Sequence, residues 1–137
     1  MHPATQEWLA LQGQFEAYER PALGLKLAAV LVLLLGFIAP FSQSVPLGAQ
    51  LALIGVLWLQ EGILRTFQAR LGARLEYLEQ GLGRGALAET DACQLHTAWR
   101  QSRPGTLGLV GEYLRSALRP TVAYPYPVLM ALALWLD

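Results

Sequence analysis

Cys93 and His96 lie three residues apart, a spacing that places both side chains on one face of a helix. A thiol beside an imidazole occurs in nucleophile pairs and can supply half of a zinc site. Cys93 is the chain's single cysteine and His2 is its one other histidine, so the usual zinc ligands are too few and no internal disulfide can form. We therefore predict no catalytic residue, no metal site and no cofactor, and we expect that the protein is not an enzyme.

A glycine-rich stretch at Gly81, Gly83 and Gly85 has the spacing of a weak phosphate-binding signal. No strand-like segment precedes it, and no Gly-Lys-Ser/Thr follows it. Glycines between two helical patterns also mark the place where one helix ends. The stretch therefore favours a hinge between helices over a nucleotide site.

An acidic residue, Glu61, comes directly after a long uncharged stretch. An acid within a membrane helix is by default a candidate proton relay. Arg65 lies four residues further on, which is the favourable order for an ion pair on a helix. We predict that Glu61 and Arg65 form an ion pair at the membrane boundary, with a proton relay as the alternative.

The uncharged stretch covers residues 27–60 and consists of two apolar runs joined by a short polar turn at residues 42–46. Each run, with its flanks, approaches the ~20 residues that a helix needs to cross a bilayer. We predict a transmembrane helical hairpin over residues 21–64. A cleaved signal peptide is the alternative for the first run, although the long acidic segment before it is unlike a short basic leader.

Charge is sparse and unevenly distributed. Charged residues make up 15% of the chain, below the ~25% of soluble proteins, and the net charge is zero, so we expect no nucleic-acid partner. Arg20 and Lys26 precede the hairpin, and every other basic residue follows it. Because basic residues concentrate on the cytoplasmic side, we predict a multi-pass protein of the bacterial inner membrane with a cytoplasmic N-terminus.

Small residues recur along the second helix of the hairpin at Gly48, Ala52, Gly55 and Gly62. A stripe of small residues lets helix backbones approach closely within a membrane. We predict that these four residues form a helix-packing face. It would serve either the hairpin itself or contact with another membrane subunit or a second copy.

Two helical regions flank the hairpin. Residues 1–20 predict an amphipathic helix that lies on the membrane, packs on the cytoplasmic part or binds a partner. Residues 65–119 predict a cytoplasmic helical region that begins as a stalk continuing the second membrane helix. Lys26 in the hairpin, and Arg115 and Arg119 at the far end of this region, are expected at the membrane boundary beside lipid headgroups.

The C-terminal region, residues 120–137, is uncharged until Asp137 but short for a membrane span, and it contains Pro125 and Pro127. It predicts a short third membrane helix, with a re-entrant or interfacial segment as the alternative. The predicted fold class is therefore an all-α integral membrane protein: a helical hairpin, cytoplasmic helices and a short third membrane helix.

Residues 114–124, with the sequence LRSALRPTVAY, resemble a segment of three-span phage holin-like proteins in which an Arg-rich element with Arg-Pro enters an apolar helix. The resemblance implies a protein that assembles in the inner membrane and permeabilises it. The residues themselves favour another function: an accessory, scaffold or assembly subunit of a membrane complex, or a homo-oligomer, acting by helix packing. The holin-like function is kept as the alternative.

Overall fold

A computed structural model describes residues 1–38, 45–102 and 105–137 of the chain. Most of the polar turn predicted at residues 42–46 lies outside the described residues. The secondary structure of the described ranges is entirely helical, which confirms the predicted all-α class. The elements are α1 (Pro3–Ala17), α2 (Glu19–Phe37), α3 (Leu47–Arg84), a 3₁₀ turn (Glu89–Asp91), α4 (Leu95–Ser102), α5 (Thr106–Ala117), α6 (Pro120–Ala123) and α7 (Tyr126–Leu136).

The longest element, α3, contains 38 residues without interruption. Its apolar positions continue at helical spacing past Arg65, and no proline interrupts them. Gly85 ends the helix in a left-handed conformation with φ +63°, which glycine adopts without steric cost. The predicted hinge is thus made at Gly85, whereas Gly81 and Gly83 remain helical.

The next helix begins later than the sequence suggests. Asp91 and Gln94 predict a capping box for a helix near Ala92, but Asp91 belongs to the 3₁₀ turn and its carboxylate accepts a hydrogen bond from the Ala88 N–H at 2.8 Å. Helix α4 starts only at Leu95. Cys93 and His96 therefore do not share a helix.

Two helical stretches, Pro3–Phe37 and Leu47–Arg84, are long and apolar enough to cross a membrane. Only 22% of the most apolar window of each is buried inside the protein. The exposed apolar side chains of α2 are Leu23, Leu27, Leu31, Leu34 and Phe37, and those of α3 include Leu53, Val56 and Leu59.

Two separate apolar cores lie along α3. One packs α2, α3 and α7 together through Ala29, Leu33, Ile54, Tyr126, Leu129 and Ala133. The other packs α1 and the segment around Ala92 against the stalk half of α3, through Ala4, Leu11, Leu71, Leu75 and Leu78. The apolar side of the stalk is therefore covered by the N-terminal helix of the same chain.

Helix α7 lies beside the hairpin over its whole length. Its first residue, Tyr126, contacts Glu61, and the Met130 methyl group approaches Gly55. Its last residues line one cavity with Gly36 and Gln50, near the start of α3. The helix thus runs antiparallel to α3 from the level of Glu61 to that of Gln50, a distance of roughly 16 Å at 1.5 Å per residue.

Candidate functional site

The carboxylate of Glu61 has no exposed surface and joins three segments of the chain. Its Oε2 accepts a hydrogen bond of 2.6 Å from the Tyr126 hydroxyl of α7. Its Oε1 lies 3.3 Å from Lys26 Nζ of α2 and 3.6 Å from Arg65 Nε of α3. We refer to Lys26, Glu61, Arg65 and Tyr126 as the Glu61 cluster.

Helical spacing explains why this acid points inward. The buried side of α3 includes Gln50, Ile54, Glu61 and Gln68, which recur at intervals of four and seven residues. Glu61 therefore lies on the face that packs against α2 and α7, while the aliphatic stem of Lys26 carries its ammonium across from α2. The Glu61–Arg65 contact predicted at the boundary is one part of a larger arrangement.

The cluster lies where the third apolar segment is broken. Helix α5 ends at Ala117 and α7 begins at Tyr126, with only the one-turn helix α6 between them, so some carbonyls of this interval lack regular helical partners. The carbonyl of Thr121 would bond to the N–H four residues on, but that residue is Pro125, which has none. Lys26 Nζ donates to this carbonyl at 2.8 Å.

Trp58 satisfies a second carbonyl of the break. Its indole N–H donates to the Ala117 carbonyl at 2.8 Å. The ring also stacks on Tyr126, with centroids 6.1 Å apart and planes 7° from parallel. Because an unpaired carbonyl costs several kcal/mol in hydrocarbon, these two donors make the broken segment compatible with an apolar environment.

Arg65 extends the network to the joint between α1 and α2. Its guanidinium donates to both carboxylate oxygens of Glu19, at 2.6 and 3.2 Å. Gln68 Nε2 donates to Glu19 at 3.0 Å and to the Phe15 carbonyl at 3.1 Å. The hydrogen bond from Arg65 is the largest cause that holds the pKa of Glu19 below its ordinary value, followed by the bond from Gln68.

A second buried ion pair lies at the core between α1 and the stalk half of α3. Arg74 donates to Glu7 through two bonds of 2.9 and 3.2 Å, and each side chain is 7% exposed. Arg74 also donates to the Asp91 carbonyl at 2.7 Å, and the backbone N–H of Cys93 donates to Glu7. The Glu7–Arg74 pair thus attaches α1 and the segment after α3 to the stalk.

The thiol of Cys93 and the imidazole of His96 take no part in this arrangement. Cys93 is exposed, has φ +59° and contributes its backbone N–H, and His96 is exposed. Within the described ranges, no group of three His, Cys, Asp or Glu side chains is placed to hold a metal ion.

The small residues of α3 meet different neighbours. A Cβ on Gly62 would lie 2.8 Å from Ala117 Cβ, so α5 packs directly on this glycine. A Cβ on Gly55 would lie 3.4 Å from the Met130 methyl group, whereas nothing lies within 4 Å of one on Gly48. Ala52 is exposed. Only the half of the stripe nearer Glu61 is therefore used within one chain, and by α5 and α7 rather than by α2.

The remaining predicted boundary residues, Arg115 and Arg119, are exposed at the end of α5. Sequence reasoning missed Tyr126, Trp58 and Glu19 as partners. A usable signal was present: Pro125 removes the donor that Thr121 needs, and Lys26 is the one charged side chain in the apolar part of α2.

No protein family, curated protein or solved structure matches this chain. Its function therefore has to be inferred from its own surfaces and side chains. The Glu61 cluster together with Glu19 contains two acids and two bases in mutual contact, and such a set can fix helices relative to one another.

Proposed function

We propose that this chain is a small protein of the bacterial inner membrane that acts by helix packing. It would serve as an accessory, scaffold or assembly subunit of a membrane complex, or as a homo-oligomer, without catalysis of its own. The observation that carries the proposal is the exposed apolar surface of α2, α3 and α7. A bilayer would cover this surface, and the charged groups that interrupt it are paired with one another.

The paired charges also support an orientation. Glu19, Lys26, Glu61 and Arg65 lie at one end of the apolar helices, and the described residues of α2 beyond Lys26 carry no charge. With that end facing the cytoplasm, the N-terminus is cytoplasmic and the hairpin turn faces outward. Helix α7, parallel to α2, then points the C-terminus outward as a short third membrane helix.

Helix α5 supports a role in assembly because it exposes an apolar stripe outside this bundle. Leu107, Val110, Leu114 and Leu118 recur at helical spacing and are all exposed, with Leu107 at 89%. The opposite side of α5 packs on α3 through Ser116 and Ala117. An apolar stripe of this width is what one helix offers to another.

The test is the mass of the protein purified in mild detergent. We expect either a homo-oligomer or a stable complex with another membrane protein. Leu114→Glu, which puts a charge on the stripe, should reduce that mass, whereas the exposed α4 variant Gln101→Glu should not. A strict monomer that co-purifies with no partner would contradict the proposal.

The holin-like function stays as a second candidate because residues 114–124 form the break that joins α5 to α7. In that case Arg115 and Arg119 would lead an apolar helix into the membrane of a pore-forming assembly. Expression alone should then collapse the membrane potential and arrest growth. High-level expression without loss of potential would exclude it.

A further inference from the structure

A groove of about 340 Å³ opens where the charged and apolar parts of the protein meet. It lies between the joint of α1 and α2, the middle of α3 and the start of α6. Its lining includes Phe15, Glu19, Arg65, Gln68, Arg119 and Thr121. We propose that this groove binds the phosphodiester group of an anionic phospholipid. This inference rests on the membrane location proposed above.

The charges of the groove match a single negative group. Arg65 is neutralised by its two hydrogen bonds to Glu19. Arg119 also lines the groove, is exposed, and has no ion pair or side-chain hydrogen bond within residues 1–38, 45–102 and 105–137. The three charged residues of the groove thus leave one positive charge, carried by a guanidinium whose planar fork suits phosphate oxygens.

The groove also lies at the depth of a phosphate. Glu19 and Arg65 lie one to two helical turns from Lys26 and Glu61, which are the last charged residues before the uncharged parts of α2 and α3. Thr121 also lines the groove, and its hydroxyl offers a second hydrogen-bond donor for the same group.

Exposed apolar side chains flank the groove where acyl chains would lie. Leu118, which directly precedes Arg119, is 68% exposed. Leu23, one helical turn beyond Glu19 toward the apolar end of α2, is 59% exposed. A phospholipid therefore finds a phosphate partner and apolar contacts together, whereas a free phosphate ion would use only the first.

The test measures ligand-induced thermal stabilisation of the purified protein in detergent. The probes are dihexanoyl phosphatidylglycerol, dihexanoyl phosphatidylcholine and inorganic phosphate. We expect selective stabilisation by phosphatidylglycerol. Arg119→Gln should weaken its apparent affinity about five- to tenfold, the contribution expected of one arginine to an anionic lipid. Arg115→Gln, which removes an equal charge outside the groove, should have little effect.

Equal stabilisation by both lipids, equal effects of the two arginine variants, or full stabilisation by inorganic phosphate would each overturn the proposal. Gel filtration reports whether Arg119→Gln is folded. If it is not, Thr121→Val, which keeps the backbone carbonyl, replaces it and should also weaken phosphatidylglycerol binding. Alkaline extraction of membranes tests the membrane location separately, so a soluble protein is distinguished from a membrane protein without this lipid site.

Discussion

Two groups of buried acidic and basic side chains join the segments of this protein. They differ in which of the charged side chains are shielded from solvent. In the Glu61 cluster the acid is fully buried, while the side chains of Lys26 and Arg65 remain 23% and 20% exposed. In the Glu7–Arg74 pair both side chains are 7% exposed, and backbone groups of the segment after α3 complete their hydrogen bonds.

The difference shows that buried ion pairs join helices in two kinds of surroundings, one made of apolar helices and one that water can reach. Around Glu61 the neighbouring surfaces are apolar helices. Losing the acid removes the counter-charge of Lys26 and the acceptor of the Tyr126 hydroxyl, whereas Arg65 keeps its bonds to Glu19. Around Glu7 the packed elements are α1 and a short connecting segment, and local opening gives the charges access to water. We therefore expect substitutions at the first group to affect all three apolar helices and those at the second to affect α1.

The largest effect is expected from Glu61→Ala. Removing one partner of a buried ion pair costs about 3–5 kcal/mol, and here the loss also leaves the Tyr126 hydroxyl without its acceptor. The measurement is the free energy of unfolding in detergent. Glu61→Gln can still accept the hydrogen bond from the Tyr126 hydroxyl, so it should lower the free energy of unfolding less than Glu61→Ala does. A loss below about 1 kcal/mol for the alanine variant would show that the cluster is no stronger than a surface pair.

Arg74→Ala should lower the free energy of unfolding by about 3 kcal/mol. This is the lower end of the same range, because water can reach the Glu7 carboxylate once α1 moves away from α3. Hydrogen exchange should show lost protection in α1 and retained protection in α7. The control is Arg84→Ala at the exposed end of α3. Equal loss of protection in α7 would mean that the two buried groups do not act independently.

Tyr126→Phe separates the hydroxyl from the ring. It keeps the stack on Trp58 and removes the bond to Glu61, which as a bond to a charged acceptor is worth about 2 kcal/mol. Limited proteolysis should show earlier cleavage of the C-terminal segment. The matched variant is Tyr124→Phe, whose side chain is exposed. Identical cleavage of both variants would contradict a role for the Tyr126 hydroxyl.

Gly62→Ala tests the contact between α3 and α5. The added methyl group would collide with Ala117, so we expect a loss of about 1 kcal/mol from overpacking. Gly48→Ala, on the same stripe with open space around it, should be neutral. Thermal melting of the two proteins side by side distinguishes them, and equal melting temperatures would rule out a specific role for Gly62.

The smallest effect is expected from Glu19→Gln, since Glu19 is largely exposed. The pKa of Glu19 is lowered in the folded state, chiefly by the hydrogen bond from Arg65. The contribution of Glu19 to stability is therefore present above its ordinary pKa of 4.5. This contribution is lost as the pH falls through the lowered value. Melting of both proteins from pH 7 to pH 3 should show a difference that disappears in acid. The control Glu16→Gln should follow the unmodified protein throughout.

The local parts of the fold could be predicted from the sequence. Helix α3 follows from apolar residues at helical spacing without an interrupting proline, and its end follows from glycine. The candidate spans follow from the absence of charge in residues 27–60. Each of these features depends on neighbours within a few turns of one helix.

Apart from Arg65 on the same helix, the partners of Glu61 could not be predicted in this way. Lys26, Glu61 and Tyr126 are far apart in the chain, and their meeting depends on how α2 and α7 lie against α3. The same reason explains the glycine stripe: Gly48 and Gly62 have equal spacing and chemistry, but only Gly62 is covered, because α5 reaches that level of α3. The helix order in space decides both outcomes.

The uninterrupted course of α3 also has a mechanical consequence. Its first half packs against α2 and α7, and its far end extends roughly 35 Å beyond Glu61 at 1.5 Å per residue. A rigid rod of that length turns a tilt of about 10° at the Glu61 level into a displacement of about 6 Å at Arg84. Helix α3 would thus convert a small change in how it packs against α2 and α7 into a larger movement of its far end.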